Sequence, residues 1–369
     1  MSMQAQAALA TAPGTALTVD TVELAPLRPD EIRVRVAGAG VCHSAVLARD
    51  QQYPVPLPAV FGDEGAGVVE AVGEAVRSLA VGDHVVLGFN SCGTCGYCRC
   101  GQPSSCTEFF AHNFGGYRPD RSSPISWRGA PAAGWFFGQS SFAELVQVPE
   151  RIAVKVPAEA PIELLGPLGC GLMTGAGAVL EVLRPRPGDS FAVFGTGAVG
   201  FAGLLAAKAS GATTLIAVDV SASRLELARE LGATHTVNSR VTDPVAEIRA
   251  ITGGAGVEYA FDAVGITEVF VQMTEALAPR GHGALAGAPP QGDRAGIDVG
   301  SLLFTQQRLS LVLEGSAVPH EFIPRLVRLH QAGLFPFDRL VRTYPLSEIN
   351  TALADAESGA TVKPIITFG

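Results

Sequence analysis

Clusters of Lys and Arg are absent from this chain of 369 residues, whose formal net charge is −9. Nucleic-acid binding depends on such clusters because they contact phosphates, so we predict no nucleic-acid partner. No stretch of about eighteen residues is apolar and free of Gly, Pro and charge, so no membrane span is predicted. The N-terminal stretch MSMQAQAALATAPGTAL contains no Lys or Arg and is not typical of a signal peptide. We therefore expect a cytoplasmic, reducing compartment, where clustered cysteines more often bind metal than form disulfides.

Five of the seven cysteines lie in one short segment, CGTCGYCRCGQPSSC. Four of them have the spacing C-x2-C-x2-C-x7-C: Cys92, Cys95, Cys98 and Cys106. This spacing is typical of a closed four-sulfur zinc site, in which backbone amides point at the sulfurs. The compartment argues against a disulfide knot, and the surrounding chain offers no redox partner for an iron–sulfur site. We predict a structural zinc lobe at about residues 90–107 and interpret Cys100 as a bystander.

A glycine-rich turn follows an apolar run in the second half of the chain and precedes a helical pattern. Its residues form G-x-G-x-x-G: Gly195, Thr196, Gly197, Ala198, Val199 and Gly200. Such a turn lets the backbone and the free N–H groups of the helix approach a pyrophosphate. The next predicted strand ends at Asp219, where a carboxylate that binds the adenosine ribose is expected. Asp219 favours NAD over NADP because it would repel a 2′-phosphate, and Arg224 nearby weakens that preference.

Strand and helix patterns alternate after this turn and predict a doubly wound sheet of about six parallel strands. Residues up to about 160 instead contain apolar or alternating runs between Gly, Asp and Pro turns, which predicts a β-rich, barrel-like lobe. The C-terminal segment YPLSEINTALADAESGATVKPIITFG ends in a helix and a strand, which we expect to return to that lobe. The apolar segment 309–315, LSLVLEG, is an edge that could pair with a copy of itself.

Six segments occur in order across nearly the whole chain: GVCHS, FGDEGAG, the four-cysteine lobe, LGCGLMTGAGA, PGDSFAVFGTGAVG and KPIITF. Together they resemble the zinc-containing medium-chain alcohol dehydrogenases. The stretches FFAHNFGG and WRGAPAAGWFFGQSSFAE are most similar to the aryl- and allyl-alcohol, or benzyl alcohol, branch. The resemblance implies an α/β fold class, with a β-rich GroES-like catalytic domain at 1–171 and 316–369 and a Rossmann NAD-binding domain at 172–315.

The resemblance also implies roles for the residues around a catalytic zinc. Cys42 and Cys170 match the two cysteine ligands. Ser44 matches the hydroxyl that contacts the substrate oxygen and passes its proton. Glu64 matches an acid that lies just behind the zinc and can approach it during ligand exchange. The alternative for Cys170 alone is a small buried hydrophobe, so the order of the whole set carries the assignment.

Three further residues are assigned to the cofactor. His43 matches a basic residue that faces the pyrophosphate, and Thr174 matches a residue near the nicotinamide. Lys363, in the C-terminal motif, is expected to bind the cofactor as well. Taken singly, His43 could be a surface histidine and Thr174 an ordinary helix residue.

Two positions depart from the family pattern. Asp63 stands where the family motif Gly-His-Glu has histidine, and Leu47 stands where many relatives have a relay histidine. The benzyl-type branch commonly lacks that relay histidine too, so Leu47 indicates direct or water-mediated proton exchange. The substitution at Asp63 raises a larger question, because the family's histidine is a zinc ligand.

Asp63 is predicted to replace histidine as the third ligand beside Cys42 and Cys170. Zinc accepts a carboxylate oxygen at about 2.0–2.2 Å, close to its distance to imidazole nitrogen. Two thiolates and a carboxylate leave the site with a charge of about −1, so alcohol oxidation should have its optimum at higher pH. The alternative is that the metal has been lost. The retained cysteines and Glu64 favour zinc, with about two ions per chain rather than about one.

The predicted function is NAD-dependent oxidation of a primary aryl or allylic alcohol to an aldehyde, or the reverse reduction. The first alternative is a zinc-independent reductase of an activated C=C, C=N or carbonyl bond, and the second is a non-catalytic dinucleotide-binding protein. A homodimer or homotetramer is expected. Five aromatic residues are candidates for the pocket wall, with core packing as the alternative for each: Phe89, Phe110, Phe114, Trp135 and Phe136.

Overall fold

The computed structural model describes residues 3–290 and 292–368. The chain divides into two compact units. Of the described residues, 3–171, 318–328 and 337–368 form the first unit. The second unit consists of residues 172–290, 292–317 and 329–336. Residues 316–317 and the short segment 329–336 therefore belong to the second unit, whereas the predicted division places them in the catalytic domain.

Strands make up much of both units. Within the described residues they are, in chain order, β1 (Met3–Ala10), β2 (Thr18–Leu24), β3 (Glu31–Gly40), β4 (Ala59–Val60), β5 (Gly65–Val72), β6 (His84–Leu87), β7 (Ile125–Trp127), β8 (Ala130–Ala132), β9 (Leu145–Pro149), β10 (Ala153–Lys155), β11 (Ser190–Phe194), β12 (Thr214–Asp219), β13 (His235–Asn238), β14 (Val257–Asp262), β15 (Leu277–Leu285), β16 (Arg308–Leu311), β17 (Val341–Pro345) and β18 (Lys363–Thr367).

The helices are short in the first half of the chain and longer in the second. Within the described residues they are α1 (His43–Arg49), α2 (Gly96–Arg99), α3 (Phe109–Phe114), α4 (Ile162–Leu165), α5 (Gly171–Gly177), α6 (Ala198–Ala209), α7 (Ala222–Leu231), α8 (Pro244–Ile251), α9 (Thr267–Ala276), α10 (Val299–Thr305), α11 (Pro319–Gln331) and α12 (Ile349–Ser358). A π-helical stretch, Ala178–Leu183, follows α5 directly.

The first unit is built on two sheets. One has the strand order β4-β1-β2-β7-β8, and the other has the order β10-β6-β5-β3-β18-β17, with β9 also paired to β3. β3 is the centre of the larger sheet because it pairs antiparallel with β5, β9 and β18. The C-terminal strand thus returns to the first unit, and the prediction of a β-rich lobe is confirmed.

The second unit is a six-stranded sheet with the order β13-β12-β11-β14-β15-β16. All five of its strand pairs are parallel, which confirms the predicted doubly wound sheet. All five residues of β11 are buried, as expected for a central parallel strand covered on both faces. Successive strands run outward in opposite directions from β11 and β14. Sheets of this type bind ligands at such a switch point, beyond the carboxyl ends of the strands.

No single helix of the described residues is both long and apolar enough to cross a bilayer. One bent pair of segments, Ile162–Gly169 and Gly171–Leu183, satisfies the length and composition requirements only when both segments are taken together.

A buried ion pair ties the start of β3 to the loop that precedes β7. Arg118 Nε donates to Glu31 Oε1 at 2.6 Å, and Arg118 Nη2 donates to Glu31 Oε2 at 2.7 Å. Both side chains are 3% exposed. Arg118 Nη2 also donates to Gln147 Oε1 in β9, at 3.2 Å. A buried pair of this geometry is costly to break, because the remaining partner keeps its charge without a counter-ion.

We predict that Arg118→Met destabilises the protein by about 3 kcal/mol, because it leaves the Glu31 carboxylate buried and uncompensated. The measurement is the urea midpoint of unfolding. Arg229→Met is the matched control: Arg229 pairs with Glu226, but their side chains are 55% and 64% exposed. The control should cost less than about 0.5 kcal/mol. Equal midpoints for the two variants would contradict the importance assigned to the buried pair.

Candidate active site

Three predicted metal ligands come together in the first unit. Cys42 caps the N-terminus of α1, Asp63 lies in the turn between β4 and β5, and Cys170 follows a 3₁₀ turn before α5. One ligand atom from each lies within 4.8 Å of the others. The Cys42 and Cys170 sulfurs are 3.9 Å apart. Two thiolates on one tetrahedral zinc stand about 3.8 Å apart, given a Zn–S bond of about 2.3 Å, so the spacing fits this ion.

Asp63 is fully buried, and its two carboxylate oxygens have different surroundings. Oδ2 accepts a hydrogen bond from Ser44 Oγ at 2.6 Å. Oδ1 has no hydrogen-bond partner among the described residues. Burial and the adjacent charge of Glu64 raise the pKa of Asp63 to about 6. A buried carboxylate oxygen without a donor is unfavourable unless a cation meets it, so this donor set fits a zinc ion.

The backbone around Asp63 is held by Gln139, a residue that the sequence did not single out. Gln139 Nε2 donates to the Asp63 carbonyl at 3.1 Å, and Gln139 Oε1 accepts from the Gly65 amide at 2.9 Å. Gly62, just before Asp63, has a φ of +97°. A Cβ at Gly62 would lie 2.6 Å from the Phe142 amide nitrogen, so only glycine fits this turn.

Glu64 forms a buried ion pair with Lys363 on β18. Lys363 Nζ lies 2.9 Å from each Glu64 carboxylate oxygen and donates to the Val41 carbonyl at 3.1 Å. The Gly171 amide donates to Glu64 Oε1 at 3.0 Å. Although burial opposes it, the charges of Glu64 and Cys42 raise the pKa of Lys363. The pair places one negative and one positive charge next to the cysteine–aspartate cluster.

The four-cysteine lobe forms a second cluster in the first unit. One sulfur from each of its cysteines lies within 4.8 Å of the others: Cys92, Cys95, Cys98 and Cys106. Backbone amides donate to the sulfurs, for example Cys95 N to Cys92 Sγ at 3.2 Å and Cys92 N to Cys106 Sγ at 3.3 Å. Amide donors lower the pKa of Cys95 to about 6, whereas burial raises the pKa of Cys106 to about 12. Cys100 is exposed and is not a member of the cluster.

The glycine turn of the second unit links β11 to α6. Gly195 has a φ of +86°, and a Cβ at Gly200 would lie 1.8 Å from the Gly195 carbonyl oxygen. A Cβ at Gly197, by contrast, would meet no atom within 4 Å. Gly195 and Gly200 are therefore required by the fold itself. Gly197, the N-cap of α6, leaves open space where a pyrophosphate would approach the helix N-terminus.

Asp219 ends β12 and is bonded to the glycine turn. Its Oδ2 accepts from the Thr196 amide at 2.6 Å and from Thr196 Oγ1 at 2.7 Å, and its Oδ1 accepts from the Ser221 amide at 2.9 Å. An ionised carboxylate offers about four acceptor positions, so one remains for a ribose hydroxyl. Arg224 lies in the first turn of α7, which Ser221 caps.

Comparison with known proteins agrees with both units. The family model of the alcohol dehydrogenase GroES-like domain matches residues 28–158, and that of zinc-binding dehydrogenases matches residues 198–331. The chain belongs to the zinc-binding alcohol dehydrogenases. Membership confirms the resemblance inferred from the motifs and makes this protein an oxidoreductase.

Three similar proteins cover nearly all of the chain. Geraniol dehydrogenase of Castellaniella defragrans is 44% identical over 99% of this chain and 98% of its own length. A solved structure of an alcohol dehydrogenase zinc-binding domain protein from Burkholderia ambifaria is 51% identical, with a TM-score of 0.98 and full coverage of both chains. Benzyl alcohol dehydrogenase of Acinetobacter calcoaceticus is 46% identical, with a TM-score of 0.96 and full coverage of both chains.

In this dehydrogenase, the placement of Lys363 differs from the expected one. The resemblance to the family implies a cofactor role for Lys363. An ammonium group has three N–H donors, and the contacts to Glu64 and the Val41 carbonyl use all of them. Lys363 is also only 3% exposed. The structure therefore assigns Lys363 to the metal cluster through Glu64 rather than to the dinucleotide. Glu64, in turn, is held back by Lys363 and is not one of the clustered ligands.

The remaining predicted site residues of the dehydrogenase are placed as follows. His43 is the first residue of α1 and is exposed. Exposure is required of a side chain that binds a ligand arriving from solvent. Leu47 lies one turn further along the same helix and offers no proton-transfer group. Thr174 lies in α5, in the second unit, and is partly exposed. The cofactor roles of His43 and Thr174 stay predictions.

Most of the candidate aromatic residues pack in the core of the first unit. Phe89, Trp135 and Phe136 are 4%, 3% and 1% exposed. Their burial favours the core-packing alternative over an open pocket wall. Phe110 on α3 is 57% exposed and lies in ring contact with Phe114, with centroids 5.1 Å apart. These two remain the candidates that a ligand could reach.

We predict that Cys95→Ser removes one zinc ion per chain, because a closed structural site requires all four thiolates. The loss should lower the melting temperature, since the lobe has little apolar core. Zinc content by elemental analysis and a thermal melt are the measurements. Cys100→Ser is the matched control and should change neither. If Cys100→Ser also lost zinc, the assignment of the four ligands would be wrong.

Proposed function

We propose that this chain is an NAD-dependent dehydrogenase that oxidises a primary aryl or allylic alcohol to its aldehyde, or reduces the aldehyde. The observation that carries the proposal is the cluster of Cys42, Asp63 and Cys170, with its unpartnered carboxylate oxygen. The names of two relatives support the substrate class, because geraniol is an allylic alcohol and benzyl alcohol an aryl one.

The residues in and beside the cluster have different roles in the reaction. Cys42, Asp63 and Cys170 would hold zinc, which when bound draws charge from the substrate oxygen and makes the alcohol more acidic. Ser44 exchanges the proton of that oxygen, because its hydroxyl lies at the edge of the cluster. Leu47 cannot pass the proton on, so the proton leaves through Ser44 or through water. The carboxylate of Asp63 adds a negative charge beside the substrate, which keeps the optimum for oxidation at higher pH.

The glycine turn and Asp219 would bind the dinucleotide, which accepts the hydride. The open space at Gly197 admits the pyrophosphate to the N-terminus of α6. Asp219 is 7% exposed and keeps an acceptor position for the ribose hydroxyls. A phosphate on the ribose would meet this carboxylate with like charge, so NAD is the proposed cofactor.

We also propose that the chain forms a homodimer through β16, either alone or within a tetramer. β16 is the last strand of its sheet, and no strand of the described residues pairs with its outer edge. Leu311 on this strand is 76% exposed, and nearby α10 exposes Leu303 and Phe304 at 73% and 88%. An unpaired edge flanked by exposed apolar side chains favours pairing with a second copy.

The first prediction from this proposal concerns turnover. Protein loaded with zinc should form NADH from NAD and benzyl alcohol or an allylic primary alcohol, and elemental analysis should find about two zinc ions per chain. The absence of NADH with every primary alcohol tested, at full zinc loading, would contradict the proposed activity.

Asp63→His is the matched variant for this prediction. A neutral imidazole removes one negative charge beside the substrate oxygen, so the pH profile of alcohol oxidation should move to lower pH. In a zinc-independent reductase, Asp63→His would neither move the pH profile of alcohol oxidation nor raise its rate.

The second prediction concerns assembly. Leu311→Lys places a charge on the exposed edge and should shift the protein toward the monomer, as measured by sedimentation or light scattering. Val241→Lys is the matched control, since Val241 is 78% exposed in the same unit but lies far from β16 in the strand order. An unchanged oligomer in the Leu311 variant would contradict the proposed interface.

A further inference from the structure

We propose that the hydroxyl of Ser44 positions Asp63 as a zinc ligand, by holding one carboxylate oxygen so that the other alone binds the metal. The inference rests on the proposed function, because it concerns the same metal site. It gives Ser44 a role beyond proton exchange, and this role exists only because residue 63 is an aspartate.

The unequal state of the two Asp63 oxygens is the starting observation. Ser44 Oγ donates to Oδ2 at 2.6 Å, a short distance typical of a hydroxyl bonded to a carboxylate. Oδ1 is buried and has no donor among the described residues. Ser44 takes one acceptor position of Oδ2, so Oδ1 is the oxygen that keeps both of its acceptor positions for a cation. The geometry points to a ligand that binds through one oxygen rather than through both.

Aspartate needs such support more than histidine does. Its side chain is shorter than that of histidine, so it must reach the metal with a restricted choice of torsion angles. The backbone of Asp63 is already held by Gln139, which leaves the side-chain torsions to be set. The bond from Ser44 sets them. Outer hydrogen bonds of this kind orient metal ligands in proteins generally.

One structural element places both the support and a ligand. Cys42 is the N-cap of α1, and Ser44 is the second residue of the same helix. The start of α1 therefore fixes a sulfur ligand and the hydroxyl that orients the oxygen ligand. A shift of the helix would move both together, so the geometry between Cys42 and Ser44 is preserved.

The orientation of the Ser44 hydroxyl follows from this bond. A hydroxyl has one hydrogen and two acceptor positions. Because the hydrogen of Ser44 is directed at Asp63, only its acceptor positions face other groups. Ser44 can thus accept a hydrogen bond from an alcohol O–H while it orients Asp63. A histidine at position 63 would offer no carboxylate oxygen to Ser44, and this coupling would vanish.

The test is zinc retention by the full-length protein as the EDTA concentration is raised. Elemental analysis gives the number of zinc ions that remain bound per chain. Ser44→Ala should weaken zinc binding at the cysteine–aspartate cluster by about 10- to 100-fold, the usual effect of losing an outer hydrogen bond to a ligand. Ser44→Thr keeps the hydroxyl and should restore retention. The four-cysteine lobe serves as an internal reference for folding, since its zinc should stay bound at the same EDTA concentration in every variant.

Ser141→Ala is the matched control for packing. Ser141 is fully buried beside the same turn, its amide donates to the Gly62 carbonyl, and its hydroxyl has no partner among the described residues. Its loss should leave zinc retention unchanged. Cobalt substitution adds a spectroscopic readout, because the visible absorption of Co²⁺ weakens as its coordination number rises. Ser44→Ala should weaken that absorption, because the freed Oδ2 would also bind the metal.

A double-mutant cycle separates the proposal from a simple effect of Ser44. In the Asp63→His background, Ser44→Ala should no longer weaken zinc retention, because no carboxylate oxygen remains to be held. Equal losses in both backgrounds would overturn the proposal. So would a Ser44→Ala variant that retains zinc as the parent protein does but forms NADH slowly, since Ser44 would then only exchange the proton. If the parent chain itself held zinc only in the four-cysteine lobe, the proposed function would fail instead.

Discussion

The site in the first unit depends on one constraint, the burial of the Asp63 carboxylate. One of its oxygens has no hydrogen-bond donor among the described residues. Asp63 reaches this position because Gly62 turns the chain tightly and Gln139 bonds the Asp63 carbonyl and the Gly65 amide. A buried charge of this kind needs a cation. The two cysteines that converge beside it form, with Asp63, a donor set suited to zinc. The turn before β5, the start of α1 and the segment before α5 therefore all position ligands of this donor set.

The charges around this set are nearly balanced by the fold. Two thiolates and the carboxylates of Asp63 and Glu64 make four negative charges, whereas zinc and Lys363 would supply three positive ones. Lys363 belongs to the last strand of the chain, which is paired with β3 at the centre of the larger sheet. The C-terminal strand thus contributes a counter-ion to the site as well as a sheet edge. With histidine in place of Asp63 the same set of charges would be neutral, so the aspartate leaves the site with one negative charge that zinc and Lys363 do not offset.

Local sequence patterns predict much of the fold and of the site. Contacts between segments that are distant in the sequence cannot be predicted from such patterns. The G-x-G-x-x-G turn and the cysteine spacing are short-range features, so a strand, a turn and a helix, or a metal loop, can be inferred from them. The partnership of Lys363 with Glu64 joins residues 299 positions apart, and it was missed. Gln139 acts on a backbone 76 residues away, and nothing in its neighbourhood marks it. Asp63 was identified because it interrupts a familiar motif, but the different states of its two oxygens required coordinates.

The bond between Asp219 and Thr196 has a consequence for attempts to change the cofactor. The carboxylate that is proposed to select the ribose also fastens the glycine turn to the end of β12, so the turn is already shaped before a nucleotide arrives. Exchanging Asp219 for a small neutral residue to admit a phosphorylated ribose would also release the Thr196 amide and hydroxyl. The proposed cofactor selectivity and the rigidity of the glycine turn thus depend on the same side chain, Asp219. A redesign that changes the cofactor must also supply a new hydrogen-bond acceptor for Thr196.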